Sequence, residues 1–275
     1  MLECYRYSFH TTINKLHIII GLYVSLFLMR LFHVDCNHIM RDPEWVRTYD
    51  AIRSDTSTPP AHLTPVEHTR INSLRDPIHQ AQQTISFMTQ YHALTIYAGD
   101  TQQIIREPNT KPRCGNPVYH FNTSHSGEHV VVCVDTVPCG VDIECVYIEE
   151  ALPRTAHCTA HRTISRYPQI MYDTFGIDNQ IPLQSFHPPE KAVRLWTQTE
   201  AWLKFVGCGL RGLGHMGIVP SNDGFVLTHH GFPVPRPHDI SGLLPDNVFG
   251  TVFTDGSNNL PMESISKISF SDLFE

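Results

Sequence analysis

The chain has 275 residues, 41% of them hydrophobic and 17% charged, which describes a globular protein long enough for two small domains or one large one. Its formal net charge of −7, with no long basic run, excludes a general nucleic-acid binder. The eight cysteines include no Cys-x-x-Cys pair, which excludes a zinc ribbon or a small disulfide scaffold and leaves free thiols in a reducing compartment. Among the 18 histidines no pair has the spacing of a zinc motif, and His229–His230, beside Gly231 and Pro233, reads as an exposed turn.

Residues 16–32 are apolar apart from His17 and Arg30. They read either as a signal-peptide core or short membrane anchor, or as a lead into a first strand at 30–36, where polar and apolar positions alternate. Residues 43–52 suit a short helix and residues 54–60 a loop. Thr64-Pro65-Val66-Glu67 is a capping box opening a helix. A longer helix is expected over 76–97, with Ile78, Ile85, Phe87, Met88, His92, Leu94 and Ile96 as its apolar side. A proline-punctuated loop covers 107–117. The β-branched run 130–134, a turn and the run 141–145 predict a hairpin. Residues 146–189 carry no clear pattern. A helix over 191–206 stops at Gly207, and strands follow at 224–228 and 247–254. The expected division is a hydrophobic extension at 1–28, an N-terminal half at 29–135, a C-terminal half with a metal site at 136–254, and a polar tail at 255–275.

Asp142 and Glu144 lie two apart in a strand, so both carboxylates leave one face while Val141 and Ile143 point inward. Two ionised carboxylates side by side repel unless a cation sits between them, and hard oxygen ligands suit Mg²⁺. The same pattern also fits an ordinary half-exposed strand. Glu200 and Lys204 share a helix face one turn apart, which in isolation is a surface ion pair worth about 0.3–0.5 kcal/mol. A third segment, FNTSHSG at 121–127, offers Ser124, His125 and Ser126 at a strand edge where a phosphate could be held, or forms a turn in which His125 caps the strand. Lys111-Pro112 adds a cation on a stiff loop.

In this order, Thr110-Lys111-Pro112, residues 121–126, residues 140–144 and residues 196–210 resemble the 4′-phosphopantetheinyl transferases, specifically the larger two-repeat class that activates peptide synthetases and serves lysine and fatty-acid pathways. The last of these, WTQTEAWLKFVGCGL, fixes seven or more positions of the family pattern. The resemblance implies an α+β fold built as a pseudo-dimer of two similar halves, with coenzyme A in the cleft between them. It implies Asp142, Glu144 and Glu200 as Mg²⁺ ligands, Glu200 also as base toward an acceptor serine, and Lys204 against the diphosphate. Ser124 and His125 match coenzyme A contacts, His125 toward the 3′-phosphate, and Lys111 and Pro112 match the loop beside the adenine. The implied partners are coenzyme A and an apo acyl or peptidyl carrier protein, with no nucleic acid, and the implied protomer is a monomer. A local basic excess at 190–212 (Lys191, Arg194, Lys204 and Arg211) would draw an acidic carrier protein.

The chain departs from the family pattern in three places. Residues 76–97 hold no Arg or Lys, so Arg70, Arg75, His79 and His92 are the nearby candidates for the 3′-phosphate. Thr110 stands where the family has Gly, and the family's Phe-Ser-x-x-Glu element is missing from 146–189. A second reading follows: a divergent homologue that binds carrier protein without transfer. The expected location is cytoplasmic, or an organelle or membrane if residues 16–32 act as a targeting or anchoring segment.

Overall fold

The computed structural model describes residues 29–43, 45–46, 49, 63–99, 103–107, 110–147, 163–177, 180–221, 224–255, 265–269 and 271–273. The extension at 1–28, the loop at 54–60, and parts of the helix expected at 43–52 and of the tail at 255–275 lie outside the described residues. Among the described residues no helix is long and apolar enough to cross a membrane.

The first half opens with β1 (Arg30–Asp35), followed directly by α1 (Cys36–Met40), which Asp35 caps by accepting the amides of Asn37 and His38. Next comes α2 (Pro65–Ser73), where the predicted capping box is present: Thr64 accepts from the Glu67 amide and Glu67 accepts from the Thr64 amide. The long helix α3 (Pro77–Ala98) starts at Asp76, which accepts the Ile78 amide, and ends at Gly99. The +83° φ of Gly99 is a left-handed conformation that glycine adopts without steric cost.

The buried face of α3 differs from the apolar list. Ile78 and Ile96, in the first and last turns, stay exposed, whereas Thr84 and Thr89 are fully buried. Their hydroxyls donate back to the carbonyls of Gln80 and Ile85 at 2.8 and 2.7 Å, which satisfies the polar atoms and lets the methyl groups pack. Apolarity alone does not detect a threonine that bonds to its own helix.

After the short pair β2 (Ile104–Ile105) and β3 (Arg113–Cys114) come β4 (His120–Ser126) and β5 (His129–Asp135). These two form an antiparallel hairpin, and β5 also pairs antiparallel with β1. Every residue of β5 is buried because both faces are covered. Val130, Val132 and Val134 join the core beneath α3, while Val131 and Cys133 face a second core shared with the next strand.

That next strand, β6 (Cys139–Cys145), is not the hairpin partner of β5 that its position suggests. The chain changes sheets between Asp135 and Cys139. The remaining elements are α4 (Tyr167–Met171), α5 (Pro189–Val206), β7 (Met216–Ser221), β8 (Gly224–His229), β9 (Phe232–Pro233), β10 (His238–Asp239), β11 (Val248–Thr254) and β12 (Ile265–Lys267). Strand β6 pairs antiparallel with β11 in a sheet ordered β10-β11-β6, and β12 adds in parallel to β1 so that the first sheet reads β12-β1-β5-β4. The patternless stretch folds partly as α4 and short turns, whose Tyr167, Met171, Phe175 and Phe186 pack with Val193 and Trp196 of α5. The α+β expectation therefore holds at the level of mixed helices and sheets.

Two features position β6. Helix α5 lies so close that a β-carbon on Gly140 would sit 2.4 Å from the Phe205 nitrogen and 2.5 Å from the Ala201 carbonyl oxygen. On the other edge no backbone ladder joins β6 to β4. Instead, Asn122 Oδ1, Ser124 Oγ and Ser126 Oγ accept the amides of Val141, Ile143 and Cys145 at 3.0, 3.2 and 2.9 Å. Side-chain oxygens thus replace carbonyls along the seam between the sheets and satisfy buried N–H groups that have no strand partner on that side.

Candidate active site

The seam brings the candidate site residues together. Asp142 is 2% exposed on β6. Its Oδ1 accepts from Ser124 Oγ at 2.8 Å and from Lys204 Nζ at 2.6 Å, while its Oδ2 is buried with no hydrogen-bond partner. Burial raises the pKa of this carboxyl above its ordinary value, and the Lys204 ammonium and the Ser124 hydroxyl oppose that rise. A buried carboxylate oxygen without a donor is costly to leave bare. Its hard, anionic chemistry fits a divalent cation.

Glu144, two residues on, accepts from Trp196 Nε1 at 3.0 Å through one oxygen and from Ser126 Oγ at 3.0 Å through the other. Trp196, Glu200 and Lys204 follow one another at four-residue intervals on α5, so they form a single stripe. The first touches Glu144 and the last touches Asp142, which fixes that stripe toward the two β6 carboxylates with half-buried Glu200 midway along it. Lys204 thus engages Asp142, while Trp196 and Ser126 engage Glu144.

Ser124 is buried, and its hydroxyl is engaged by Asp142, Lys204 and the Ile143 amide, which makes it part of the site's framework. His125, next in the strand, points the other way and lines a recess with His79, Gln83 and Ser86. Its ring reaches solvent yet is enclosed by protein on its other sides. That enclosure, together with the charges of Lys204, Arg70 and His79, lowers its pKa. An adjoining recess adds Arg70, Gln90, Arg106, Pro112 and Thr123. Of the candidate cations near α3, Arg70 and His79 reach these recesses. Arg106, which the sequence reading passed over, is tied to buried Glu67 at 2.5 Å and to Gln90 at 2.6 Å.

The recess continues into a cleft of about 510 Å³ lined by Lys111, Pro112, Asn122, Lys204, Gly209 and Arg211 among others. Lys111 donates to the Cys139 carbonyl at 2.5 Å, which pins the loop against the start of β6. The basic excess expected on α5 is smaller than its residue count, because Arg194 pairs with Asp239 and Lys191 donates to the Ser185 carbonyl at 3.1 Å while lying over the Phe225 ring. Sequence reading also missed Trp196 as the donor to Glu144 and the seam role of Asn122, Ser124 and Ser126. The available signal was the unbroken polar run 122–126 beside the apolar run 130–134.

The chain is thus an α+β protein with a carboxylate–lysine pair on a sheet seam, beside a cleft with basic groups along it. The chain is 33% identical over 135 residues to the 4′-phosphopantetheinyl transferase psf-1 of Bacillus pumilus, a match covering 47% of this chain and 51% of that protein. The chain thus spans about half the length of the curated relative it matches. No family model matches. A distant relative of this chain is therefore a phosphopantetheinyl transferase, and the likeness supports that superfamily.

Proposed function

We propose that the chain transfers 4′-phosphopantetheine from coenzyme A to a serine of an acyl or peptidyl carrier protein, releasing 3′,5′-ADP. The observation that carries this reading is the stripe Trp196–Glu200–Lys204 facing Asp142 and Glu144, with Asp142 Oδ2 left for a cation. In the reaction the serine oxygen forms a bond to the β-phosphorus of coenzyme A and the bridging P–O bond breaks. The serine proton passes to Glu200, and the pair of electrons leaves with 3′,5′-ADP. Mg²⁺ held by Asp142, Glu144 and Glu200 would supply charge neutralisation and in-line alignment of the diphosphate. Lys204 adds a positive charge on the same face.

Arg70 suits the 3′-phosphate by charge, and His125 and His79 suit it as hydrogen-bonding neighbours, taking the place of a basic residue on α3. Lys111 and Pro112 border the adenine end of the cleft. In this reading the two sheets, each with its long helix, are related halves of a monomer of the two-repeat class, and Arg211 at the cleft mouth meets the acidic carrier protein.

The test is mass spectrometry of an apo carrier protein incubated with coenzyme A, Mg²⁺ and the full chain. The reading expects a gain of one phosphopantetheine that vanishes in Asp142→Ala. Absence of coenzyme A binding at millimolar concentration would instead leave a carrier-protein binder without transfer.

A further inference from the structure

On the other face of the seam lies a second group of chemistry-bearing side chains that the transfer reaction does not use. Glu128 sits in the turn between β4 and β5, His129 begins β5, and Cys145 ends β6. One ligand atom from each lies within 4.8 Å of the others. His129 and Cys145 are buried, at 7% and 3% exposure, and Glu128 is half-buried. Successive strand residues point to opposite faces, so Cys145 faces away from Glu144 and the two sites are separate despite their adjacency in sequence.

We infer that Glu128, His129 and Cys145 form a binding site for a transition-metal ion of the zinc class. A thiolate, an imidazole and a carboxylate are the donors Zn²⁺ takes, whereas a thiolate is a poor ligand for Mg²⁺. Ligand bonds of about 2.0–2.3 Å in a tetrahedron put donor atoms roughly 3.3–3.8 Å apart, so closing the site needs shifts of about an ångström.

The surroundings supply the outer contacts such a site needs. His33 Nε2 is 3.2 Å from His129 Nδ1, a bond that orients the ring. Tyr147 donates to Glu128 at 2.8 Å, and Asn247 Nδ2 donates to the Cys145 sulfur at 3.4 Å. Among the described residues no lysine or arginine pairs with Glu128. One carboxylate, one thiolate and a divalent ion sum to zero charge, the arrangement a largely buried pocket tolerates best. On binding, the Cys145 thiol releases its proton to solvent. The ion would tie the hairpin turn of the first sheet to the last residue of β6, next to the seam rung from Cys145 to Ser126 at 2.9 Å.

The test is independent of the transferase reading. The full chain, stripped with a chelator and kept reduced, is titrated with Co²⁺ and then Zn²⁺. The expected result is one equivalent of cobalt with a near-ultraviolet thiolate-to-cobalt band, bleached by one equivalent of zinc. Asp142→Asn should keep the band and Cys145→Ser should lose it. Glu128→Gln should weaken binding by roughly tenfold or more. No band in the full chain, or the same band in Cys145→Ser, would overturn the inference. If Cys145→Ser does not fold, unchanged affinity in Glu128→Gln does so instead.

Discussion

The Lys204 ammonium lies 2.6 Å from Asp142 Oδ1, so a helix residue and a strand residue 62 positions apart form one largely buried ion pair at the mouth of the cleft. Asp142 is almost wholly enclosed while Lys204 keeps about a quarter of its side-chain surface. The pair therefore joins α5 to β6 and also keeps a cation within reach of any anionic substrate.

Removing one partner of such a pair leaves an uncompensated charge. Lys204→Met is expected to destabilise the fold by about 3 kcal/mol, because Asp142 loses the cation that offsets its burial. Urea unfolding measures it. A loss below about 0.5 kcal/mol, the range of exposed pairs, would show that the contact is not formed in solution.

The close approach at Gly140 gives a second expectation. Gly140→Ala drives a methyl group into the backbone of Ala201 and Phe205, which cannot rotate away. The strand and α5 must separate, at about 3 kcal/mol in chemical denaturation. Because Lys204 lies on the same helix, the proposed transfer activity should fall with stability.

The seam is tested by contrast. Ser126→Ala strips the acceptor from the Cys145 amide and the donor from Glu144, and should cost about 1–3 kcal/mol. Thr123, in the same strand, has a buried hydroxyl with no partner. Thr123→Val is expected to be neutral or stabilising in the same measurement. Equal losses in the two variants would contradict the side-chain ladder.

A pH dependence follows from Asp135. Burial raises its carboxyl above 3.8, against hydrogen bonds from Thr254 and from the backbone amides of Thr136 and Val137 and the charge of His120. A carboxyl raised on folding contributes stability below 3.8 that is lost as pH climbs through its folded value. Each tenfold change in its acid constant is worth about 1.4 kcal/mol. Asp135→Asn stays neutral throughout, so its melting temperature relative to the parent chain should climb as pH rises from 3 and level off once Asp135 is ionised in the folded chain. A constant difference across that range would rule this out.

Under the proposed reaction Glu200 must be ionised to accept the serine proton. Glu200→Gln is then expected to lower kcat by about 10²–10⁴ and to flatten the acidic limb of the pH–rate profile. Retention of that limb would assign it to another group.

Much of this was legible in residue order. The capping box of α2, the extents of α3 and α5, the strand at 30–35 and the polar face of β6 follow from local periodicity and end signals, which depend on neighbours a few positions away. The spacing of Glu200 and Lys204 likewise put them on one helix face. The pairing of β6 was not legible. A turn between two apolar runs favours a hairpin, yet the missing side chain of Gly140 admits α5, and the side chains of Asn122, Ser124 and Ser126 substitute for a strand on that edge of β6.

The sequence by itself thus determined which residues carry charge and which face of each element they occupy, because a helix repeats every 3.6 residues and a strand every two. Only the tertiary structure decided that Lys204 holds Asp142, that Trp196 holds Glu144, and that Glu128, His129 and Cys145 meet on the far face. Those meetings bring together residues up to 62 positions apart, and long-range packing of helix on strand and sheet on sheet, not local preference, sets which side chains come within bonding distance.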